Sequence, residues 1–562
     1  MARSRVMPLG CLVVLAAMLS GATGLAASEE MAARARQNGV QAEEALSRSL
    51  AVVRAYLRLR DPVTGLLPRK EKTPTWYVRD SAADLYPFLV IAAYYTDRSL
   101  YEGEMLKMLR DEIRWSTRVG WLSDNVLAGG GFEHETVDMD RIIYGSSEYA
   151  KDGLLPLTEL LGPTAWFERM TGITDDLIAH APYPTSFGKL PSLGAEVNGE
   201  MLQVLTRLAY RTRDPRYEDQ AVTIARFYFE EAIPKSNGLP PHAWNLERGV
   251  AASEDFRFHD HGNEIVGGLA ELVLYLKLRG DRRGEPMVRS LSDLVDLLLK
   301  VGRNKDGVWY SRVALKDYSV LDARHAHCWG YLFNAVYTTW LITGEERYLD
   351  AVKQAMAAVT RKPAYLDDPN GSGRNYKSNA YSDAIESMIV FLNRLPNEGY
   401  GEVLDTCVER FLRRQRKDGI VEFWYGDGNY VRTALMYALM KSQGAWLEPW
   451  REDVRLGAVL ENEELVLHLA SDKPWEGKVC FDVPRHKLYF NMPVNYPRLN
   501  EFPEWFTVKR DALYAVRVGK KSQVFCGGEL ARGLPFSTAE NKSLLISVKR
   551  IPGPPYSGAE AP

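Results

Sequence analysis

Between about residue 35 and residue 445 the chain alternates between two kinds of helical sequence, and this alternation limits the folds that it can adopt. One kind carries a charged stripe, as in QAEEALSRSLAVVRAYLRLR and MVRSLSDLVDLLLKVG. The other kind is apolar on nearly every side and opens with polar residues, as in GAEVNGEMLQVLTRLAYRT. A helix with a charged stripe faces water, whereas a helix that is apolar all round is buried. The alternation therefore predicts a series of helical hairpins, each with an outer and an inner helix.

The connections between these helices differ in length according to their direction. Short breaks such as RTRDPRY and ITGEERY lead from an inner helix into an outer one. The connections in the other direction are long and rich in Gly, Pro, Trp and Asn, and they span residues 119–146, 234–262, 303–324 and 362–382. Long loops that gather on one side of a scaffold are where functional sites tend to be built.

Stacked hairpins fit either an open solenoid or a closed toroid. Ionisable residues occupy the first turns of the inner helices, and a solenoid core would bury them at a high cost in free energy. A toroid has a central funnel that exposes these turns to solvent. The sequence therefore favours an (α/α)6–7 toroid, with six hairpins counted and a seventh left open.

The sequence changes character after residue 448. Short runs with period-two alternation predict β-strands there: GKVCFDVP, KLYFNMPV, WFTVKR, LYAVRVG, SQVFCGG and SLLISVKR. We expect a mainly α-helical chain, with a toroid over residues 28–448 and a smaller all-β sandwich over residues 449–552. Residues 553–562, with the sequence GPPYSGAEAP, are predicted to be a disordered tail.

The first 27 residues are typical of a cleavable export signal. Arg3 and Arg5 precede an apolar run of secretory length, and small residues end this run before Glu29 and Glu30. No later apolar run has the length of a membrane span. We therefore expect a secreted or periplasmic protein.

Charge and cysteine content limit the classes of binding partner and metal site that fit the sequence. The net charge of -3 comes from 70 basic and 73 acidic residues without a basic block, so the sequence has no footprint for nucleic acid. After Cys11 in the signal, four cysteines remain, and none forms a Cys-x-x-Cys pair. This spacing argues against a zinc-thiolate site. Cys480 and Cys526 either form a disulfide in an oxidising compartment or stay as isolated buried thiols.

This organisation resembles the (α/α)6-toroid carbohydrate-active enzymes, a six-hairpin group that includes glucoamylase-like enzymes, unsaturated glucuronyl hydrolases, β-L-arabinofuranosidases and toroid polysaccharide lyases. The resemblance is architectural: it rests on hairpin alternation over about 400 residues and on the β-rich region that follows. It implies a carbohydrate substrate. Neither the Asn-His-Tyr spacing of some toroid lyases nor the cysteine-rich zinc cluster of the arabinofuranosidases is present, so no family's residues carry over.

The segment RFHDHGNEIVGGLAELVLYLKLRG places several ionisable groups at the start of an inner helix. Asp260 and Glu264 are four residues apart, so a helix would bring both carboxylates to one face. Two close acids push their pKa values apart, which acid/base catalysis requires. His261 and Asn263 belong to the same turn. The alternative is an ordinary helix cap by Asp260 with the other groups solvated.

Other inner helices repeat this pattern. Glu196 and Glu200 lie four residues apart in EVNGE, and Asp80 and Asp84 do so in RDSAADLYP. Each pair alone has a structural explanation, but several on successive inner helices indicate a polar funnel. The predicted catalytic residues are Asp260, His261, Glu264, Glu200, Asp84 and His327.

The remaining candidates are predicted to bind substrate. ARHAHCWGY places His325 and His327 before an inner helix, together with Trp329 and Tyr331. Histidines two residues apart do not share a helical face, so we expect a general base or a sugar contact there, with no metal and no other cofactor. The predicted substrate-binding residues are Arg79, Asp80, Glu148, Glu196, Asn263, Arg324, His325, Trp329, Tyr331, Asp383, Trp424 and Arg432.

Three functions fit these residues. A glycoside hydrolase needs one protonated and one ionised carboxyl group across the scissile bond, and the acid pairs favour this class. A polysaccharide lyase neutralises a uronate carboxylate with Asn or Arg and removes a proton with His or Tyr, for which Asn263, Arg324, His261, His327 and Tyr331 are available. A toroid that only binds glycan, or acts as a scaffold, predicts dispensable carboxylates. We expect a hydrolase of poly- or oligosaccharides, with uronate-containing glycans among the candidate substrates.

Overall fold

The computed structural model describes residues 29–259, 262–367, 378–423, 425–498 and 500–552. Helices dominate this part of the chain up to residue 441, and strands dominate it from residue 446 onward. In chain order the α-helices are α1 (Glu29–Arg58), α2 (Tyr86–Thr96), α3 (Arg98–Leu100), α4 (Leu106–Ser116), α5 (Met139–Glu148), α6 (Leu155–Leu161), α7 (Ala165–Ala179), α8 (Ala195–Thr212), α9 (Pro215–Phe227), α10 (Glu264–Arg279), α11 (Gly284–Val301), α12 (Trp329–Thr343), α13 (Glu346–Arg361), α14 (Ala364–Asp367), α15 (Ser378–Arg394), α16 (Glu398–Leu412), α17 (Gly428–Lys441), α18 (Arg485–Phe490) and α19 (Gly527–Arg532).

Several helices contain wider, π-helical turns. Val78–Leu85 leads into α2, and Tyr149–Leu154 joins α5 to α6. Tyr101–Met105 and Tyr228–Ala232 are similar turns next to α4 and α9, and Pro234–Ser236 is a short 3₁₀ turn. Turns of the π type are often found at functional sites, and the first two lie in inner helices.

Seven helical hairpins close into a ring within the described residues. The inner layer consists of α2, α5 with α6, α8, α10, α12, α15 and α17, and each inner helix packs against the next. Contacts between α17 and α2 close the ring. The outer helices α1, α4, α7, α9, α11, α13 and α16 alternate with the inner ones along the chain. The predicted toroid is confirmed, and its ring has the larger of the two hairpin numbers expected.

Glycines allow two inner helices to approach closely. A side chain on Gly199 of α8 would collide with the backbone of Glu264 in α10, and one on Gly268 would collide with Leu202 and the Gly199 carbonyl. The α8 and α12 helices end in the RTRDPRY and ITGEERY breaks, at Arg213 and Gly344, which have left-handed backbone conformations. Such residues end a helix and turn the chain sharply, here into the outer helices.

The long connections carry short strands before the inner helices. In chain order these strands are β1 (Thr117–Val119), β2 (Leu122–Ser123), β3 (Tyr183–Thr185), β4 (Gly188–Leu190), β5 (Trp244–Asn245), β6 (Val250–Ala251), β7 (Asp255–Arg257), β8 (Tyr310–Ala314) and β9 (Val320–His325). The first six form three antiparallel pairs, and β7, β8 and β9 form one antiparallel sheet. This sheet joins the connection before α10 to the connection before α12.

The C-terminal region consists mainly of two antiparallel sheets. Its strands are β10 (Trp446–Glu448), β11 (Val454–Glu461), β12 (Glu464–Ser471), β13 (Trp475–Cys480), β14 (Leu513–Val518), β15 (Lys521–Cys526), β16 (Leu534–Thr538) and β17 (Lys542–Ile551). One sheet has the order β11-β12-β17-β14-β15 and the other has the order β10-β13-β16. Helix α1 packs against β11 and β12, so the first outer helix also supports the β region.

Two strand predictions in this region are wrong. KLYFNMPV contributes most of α18, because Pro484 precedes a short helix that packs against α6 and α8 and buries Phe490. WFTVKR forms no strand, since its only ladder contact is an isolated bridge between Thr507 and Asp482. In both segments tertiary packing outweighs the local alternation of apolar residues.

The segment between α18 and β14 packs beneath the ring. Arg498 binds Glu159 of α6 at 2.6 Å, and Glu501 binds Arg394 of α15 at 2.6 Å. Tyr496 is buried in the same place. Glu159 and Arg394 lie near the C-terminal ends of their helices. The β region therefore covers the end of the ring opposite the long loops.

Three further sequence predictions concern the termini and the cysteines. Cys328, Cys407, Cys480 and Cys526 are buried free thiols, so the disulfide considered between the last two is absent. The predicted export signal and the predicted tail lie outside the described residues. Among the residues that are described, no helix combines the length and the apolar character of a membrane span.

Candidate active site

Carboxyl groups from successive inner helices gather inside the ring. Glu148 ends α5, and Glu196 and Glu200 lie in the first two turns of α8. One oxygen from each of the three side chains lies within 4.8 Å of one from the others. Glu148 and Glu196 are each 8% exposed and Glu200 is 1% exposed, so the group runs from the mouth of the ring into its interior. The predicted one-face relation between Glu196 and Glu200 is present.

Two aspartates in the π-helical turns extend this group. Burial raises the pKa of Asp84 well above its usual value, and the charges of Asp152 and Glu148 raise it further. The hydroxyl of Tyr425 forms a hydrogen bond with Asp84. We call Asp84, Glu148, Asp152, Glu196 and Glu200 the acid cluster.

Three acids of the cluster, Asp84, Glu148 and Glu200, have raised pKa values. Burial raises the pKa of Glu148 to about 8, although Arg79 opposes this effect. The pKa of Glu200 lies well above its usual value because of burial and of the charges of Glu148 and Glu196. A buried carboxyl that stays protonated near pH 7 is suited to donate a proton.

Two cations contact the acid cluster directly. Arg79 donates to both oxygens of Glu148, at 2.6 and 3.0 Å, and its guanidinium stacks on the ring of Tyr144. Lys151 donates to Asp152 at 2.8 Å. Burial alone would lower the pKa of Lys151, but the nearby carboxylates outweigh it and raise the pKa. Since the five carboxyls outnumber these two cations, full ionisation of the cluster is unfavourable.

Glu264 lies beside the acid cluster and is held from two sides. Lys151 donates to one of its oxygens and Gln203 to the other, each at 2.9 Å. Burial raises the pKa of Glu264, while Lys151 opposes this effect. These contacts make Glu264 a structural anchor between α10 and the helices before it.

The predicted one-face relation between Asp260 and Glu264 stays a prediction. Helix α10 begins at Glu264, and residues 258, 259, 262 and 263 are not helical. The chain reaches α10 from strand β7, whose pairing with β8 holds it extended until shortly before the helix. Asp260 and His261 themselves lie outside the described residues.

A second polar group lies on the facing inner helices. The Tyr331 hydroxyl donates to Asp383 at 2.7 Å, and His327 Nε2 lies 3.4 Å from the same carboxylate. Arg432 lies 3.5 Å from Asp383 and binds Glu386 at 2.9 Å. Burial raises the pKa of Glu386 to about 7, with Arg432 opposing it.

Asn500 joins this second group to the acid cluster. Its amide nitrogen donates to Asp152 at 2.6 Å, and its amide oxygen lies 3.0 Å from the Tyr331 hydroxyl. Asn500 belongs to the segment beneath the ring. The site is thus built from six inner helices, α2, α5 with α6, α8, α12, α15 and α17, and from one residue of the C-terminal region.

Two predicted residues lie next to these groups with other partners. Asp80 forms an ion pair with Arg69, and burial raises its pKa against the effect of that arginine. Asn263 precedes α10, and its amide nitrogen contacts the Phe258 carbonyl at 3.4 Å and Cys328 Sγ at 3.5 Å. Both side chains therefore hold the loops before the inner helices in place.

Three other predicted residues have different surroundings. Arg324 is exposed on β9 and binds Asp322 at 2.6 Å. Trp329 is buried, and its indole donates to the Ala384 carbonyl at 3.2 Å, which packs α12 against α15. The ring of His325 packs edge-on against Tyr365, with centroids 4.6 Å apart. Trp424 lies outside the described residues.

Sequence reasoning missed four residues of the site: Lys151, Asp152, Gln203 and Asn500. Lys151 and Asp152 were detectable, because two charged residues interrupt the inner-helix sequence EYAKDGLLPL. Gln203 follows Glu200 by three residues and so shares its helical face. No sequence pattern around Asn500 predicts a role in the site, because the sequence does not tell which segment lies beneath the ring.

Comparison with solved structures finds related folds among carbohydrate-active toroid enzymes. One is the GH76 α-1,6-mannanase from Salegentibacter sp. HEL1_6, with 13% identity over 58% of this chain and 94% of that chain, at a TM-score of 0.42. Another is cellobiose 2-epimerase from Bacillus thermoamylovorans B4167, with 12% identity over 56% and 86%, at 0.39. A D-mannose isomerase has 17% identity over 65% and 97%, at 0.42.

No sequence profile of a known family matches the chain, and no curated protein is similar to it in sequence. The solved structures above are six-hairpin enzymes of the group that the sequence resembles. The fold assignment rests on the closed ring of helices itself. Fold and site together define an α/α-toroid protein with a buried acid cluster at the open end of its ring.

Proposed function

We propose that the protein is a secreted glycoside hydrolase that cleaves glycosidic bonds by acid/base catalysis at the acid cluster. The supporting observation is the close approach of Glu148, Glu196 and Glu200, in which burial holds the pKa of Glu148 at about 8. Glycoside hydrolysis needs one protonated and one ionised carboxyl across the scissile bond, about 5–5.5 Å apart in retaining enzymes. Glu148 is the proposed proton donor and Glu196 the proposed partner, because both retain some exposure to solvent.

Glu200 and Asp84 are the proposed supporting acids of this reaction. Glu200 accepts a hydrogen bond from the Ser147 hydroxyl at 2.6 Å, and Asp84 contacts the Tyr425 hydroxyl. A hydroxyl both donates and accepts, so these partners tolerate either protonation state of the carboxyl. Glu264 is not proposed as a proton donor, since Lys151 and Gln203 occupy its oxygens.

Elimination on a uronate is the alternative enzyme class, and the arginine contacts argue against it. Such a reaction needs a cation or amide to neutralise the substrate carboxylate. Arg432 is 1% exposed and binds Glu386, and Arg79 is engaged by Glu148. Arg324 sits on an exposed strand with Asp322. The arginines therefore neutralise carboxylates of the protein itself.

A panel of neutral and uronate-containing glycans tests the proposal. We expect new reducing ends without the ultraviolet absorbance of unsaturated uronates. Glu148→Gln and Glu196→Gln should each lower the rate by about 100-fold or more. Glu409→Gln is the matched control, because Glu409 forms an exposed ion pair with Arg413 on an outer helix.

The other outcomes each contradict the hydrolase. New ultraviolet absorbance would identify elimination. Interconversion of free sugars without cleavage would identify an isomerase or epimerase. Binding of a glycan without any product, unaffected by the two Gln substitutions, would identify a non-catalytic toroid.

The proposed location rests on the predicted export signal. Expression in a bacterial host should give a periplasmic or extracellular protein whose N-terminus lies close to Ala27. Recovery of the uncleaved chain in the cytoplasm would contradict this part of the proposal.

A further inference from the structure

We infer that Asn500 is a positioning residue of the acid cluster, supplied to the ring by the C-terminal β region. The inference rests on the proposed function, because it concerns the same carboxyl groups. The Asn500 side chain lies between the acid cluster and the second polar group, and the residue is 7% exposed. Its amide nitrogen donates to Asp152 at 2.6 Å, and its amide oxygen lies 3.0 Å from the Tyr331 hydroxyl.

Asn500 and Lys151 together fix the position of Asp152. Both donate to the same oxygen, Oδ1, at 2.6 and 2.8 Å respectively. A carboxylate with two donors on one oxygen is restricted in rotation. The Asp152 side chain is thereby held in one position inside the ring.

The position of Asp152 affects the proposed proton donor. The charge of Asp152 contributes to the raised pKa values of Asp84 and Glu148. Asn500 thus influences proton transfer through Asp152 without reaching the proposed reacting groups itself. The titratable and charged groups that face Asp152 and Asn500 are Asp84, Glu148, Lys151, Glu200, Glu264, Tyr331 and Asp383.

The other end of the amide restrains the facing helices. Tyr331 lies in α12, and its single hydroxyl proton has two acceptors within reach, Asp383 of α15 at 2.7 Å and the Asn500 amide oxygen at 3.0 Å. One side chain therefore connects α12 and α15 to the π-helical turn that carries Asp152. A planar amide with a donor at one end and an acceptor at the other matches a carboxylate on one side and a hydroxyl on the other.

The backbone at Asn500 determines which variants are informative. Its φ is 59°, in the left-handed region, where Asn, Asp and Gly are tolerated far better than other residues. Asn500→Asp and Asn500→Gly therefore change the side chain with little added backbone strain. Asn491 offers a matched control: its φ is 57°, and its amide donates to the Arg211 carbonyl at an exposed position.

The first experiment measures the pH dependence of kcat and KM for full-length Asn500→Asp and Asn491→Asp. A carboxyl at position 500 faces Asp152 and adds negative charge to the cluster. We expect the alkaline limb of the kcat profile to move upward by about one pH unit and kcat at neutral pH to fall about tenfold. KM should change much less than kcat, since no substrate contact is removed. Asn491→Asp should retain the parental profile.

Asn500→Gly gives the opposite shift. Removal of the amide leaves Lys151 as the donor that holds Asp152 Oδ1, so the Asp152 carboxylate can move away from Glu148 and raises the pKa of Glu148 less. The alkaline limb should therefore move downward, while Asn491→Gly leaves it in place. A purely structural role for Asn500 would lower the unfolding temperature of both variants and leave the pH profile unchanged, and that result overturns the inference.

A second readout does not need activity. The unfolding temperature of Asn500→Asp relative to the parent should fall as the pH rises from about 5 to about 8, because the added buried carboxyl ionises beside Asp152. Asn491→Asp should show no such trend. If the parent cleaves no glycan but this trend appears, the proposed function fails while the coupling between positions 500 and 152 stands. If the enzyme is active and both readouts match the parent, the inference alone is overturned.

Discussion

Arg79 binds both carboxylate oxygens of Glu148, with Nε 2.6 Å from Oε2 and Nη2 3.0 Å from Oε1. A planar guanidinium that donates to both oxygens of a carboxyl group favours the ionised form of that group. Burial works in the opposite direction and dominates, so that the pKa of Glu148 is about 8. The arginine therefore keeps the proposed proton donor close to the pH at which it must both give up and regain its proton.

Removal of this cation should raise the pKa of Glu148 further. In Arg79→Gln we expect the alkaline limb of the pH–rate profile to move upward by about one unit or more, because only burial and neighbouring carboxylates then act on the group. Arg141→Gln is the control, since Arg141 binds Asp124 at 2.9 Å outside the acid cluster. Identical limbs for both variants would exclude Glu148 as the group that titrates.

The stability of the protein should fall as the pH rises through neutrality. A carboxyl whose pKa is raised on folding binds its proton more tightly in the folded state, so its contribution is complete below its unfolded pKa and is lost through its folded pKa. For Glu148 this window runs from about 4.5 to about 8. Each unit of pKa difference corresponds to about 1.4 kcal/mol.

Glu148→Gln should flatten that dependence. Calorimetric unfolding temperatures at several pH values between about 5 and about 8 should decline less steeply in the variant than in the parent. Because Glu148 shares its protons with neighbouring acids, we expect the difference to amount to only about 1–2 kcal/mol. Parallel curves for variant and parent would contradict the assignment of a raised pKa to Glu148.

The contact between α8 and α10 should not tolerate a methyl group. Gly199→Ala forces a side chain against the backbone of Glu264, where nothing flexible can yield. We expect a loss of about 1–3 kcal/mol in the free energy of unfolding, measured by chemical denaturation. Gly401→Ala is the matched helical control, because a side chain there meets open space. It should be neutral or should stabilise by up to about 1 kcal/mol.

Arg498 should be essential for docking the β region under the ring. Its guanidinium is buried against Glu159, so Arg498→Met leaves a buried carboxylate with one partner fewer and should cost about 3–5 kcal/mol. Arg413→Met removes an exposed pair within α16 and should cost no more than about 0.5 kcal/mol. Equal losses for the two variants, measured by thermal unfolding, would argue against tight docking.

Much of the fold was predictable because helical periodicity reports burial directly. An inner helix such as α8 has no charged stripe, and its early Glu196 and Glu200 then have to face a polar interior. The same reasoning predicts Glu148, Asp84 and Asp383 as residues of the site.

The details of the site depended on contacts that no local pattern encodes. Helix α10 begins only at Glu264, after strand β7, whose partner β8 lies more than 50 residues further along the chain. Whether Glu264 titrates freely depends on Lys151, which lies 113 positions earlier in the chain. Asn500 reaches the site from a region whose sequence predicted only strands.

Because the β region covers one end of the ring, the proposed substrate can approach the acid cluster from the other end. Arg498 and Glu501 bind the inner helices at that end. The proposed substrate and its product therefore have to use the same route, between the long loops. A site that is open on one side admits the end of a glycan more readily than its middle. We therefore expect the proposed hydrolase to cleave from chain termini. The released product should compete with substrate for the same route and so inhibit the reaction.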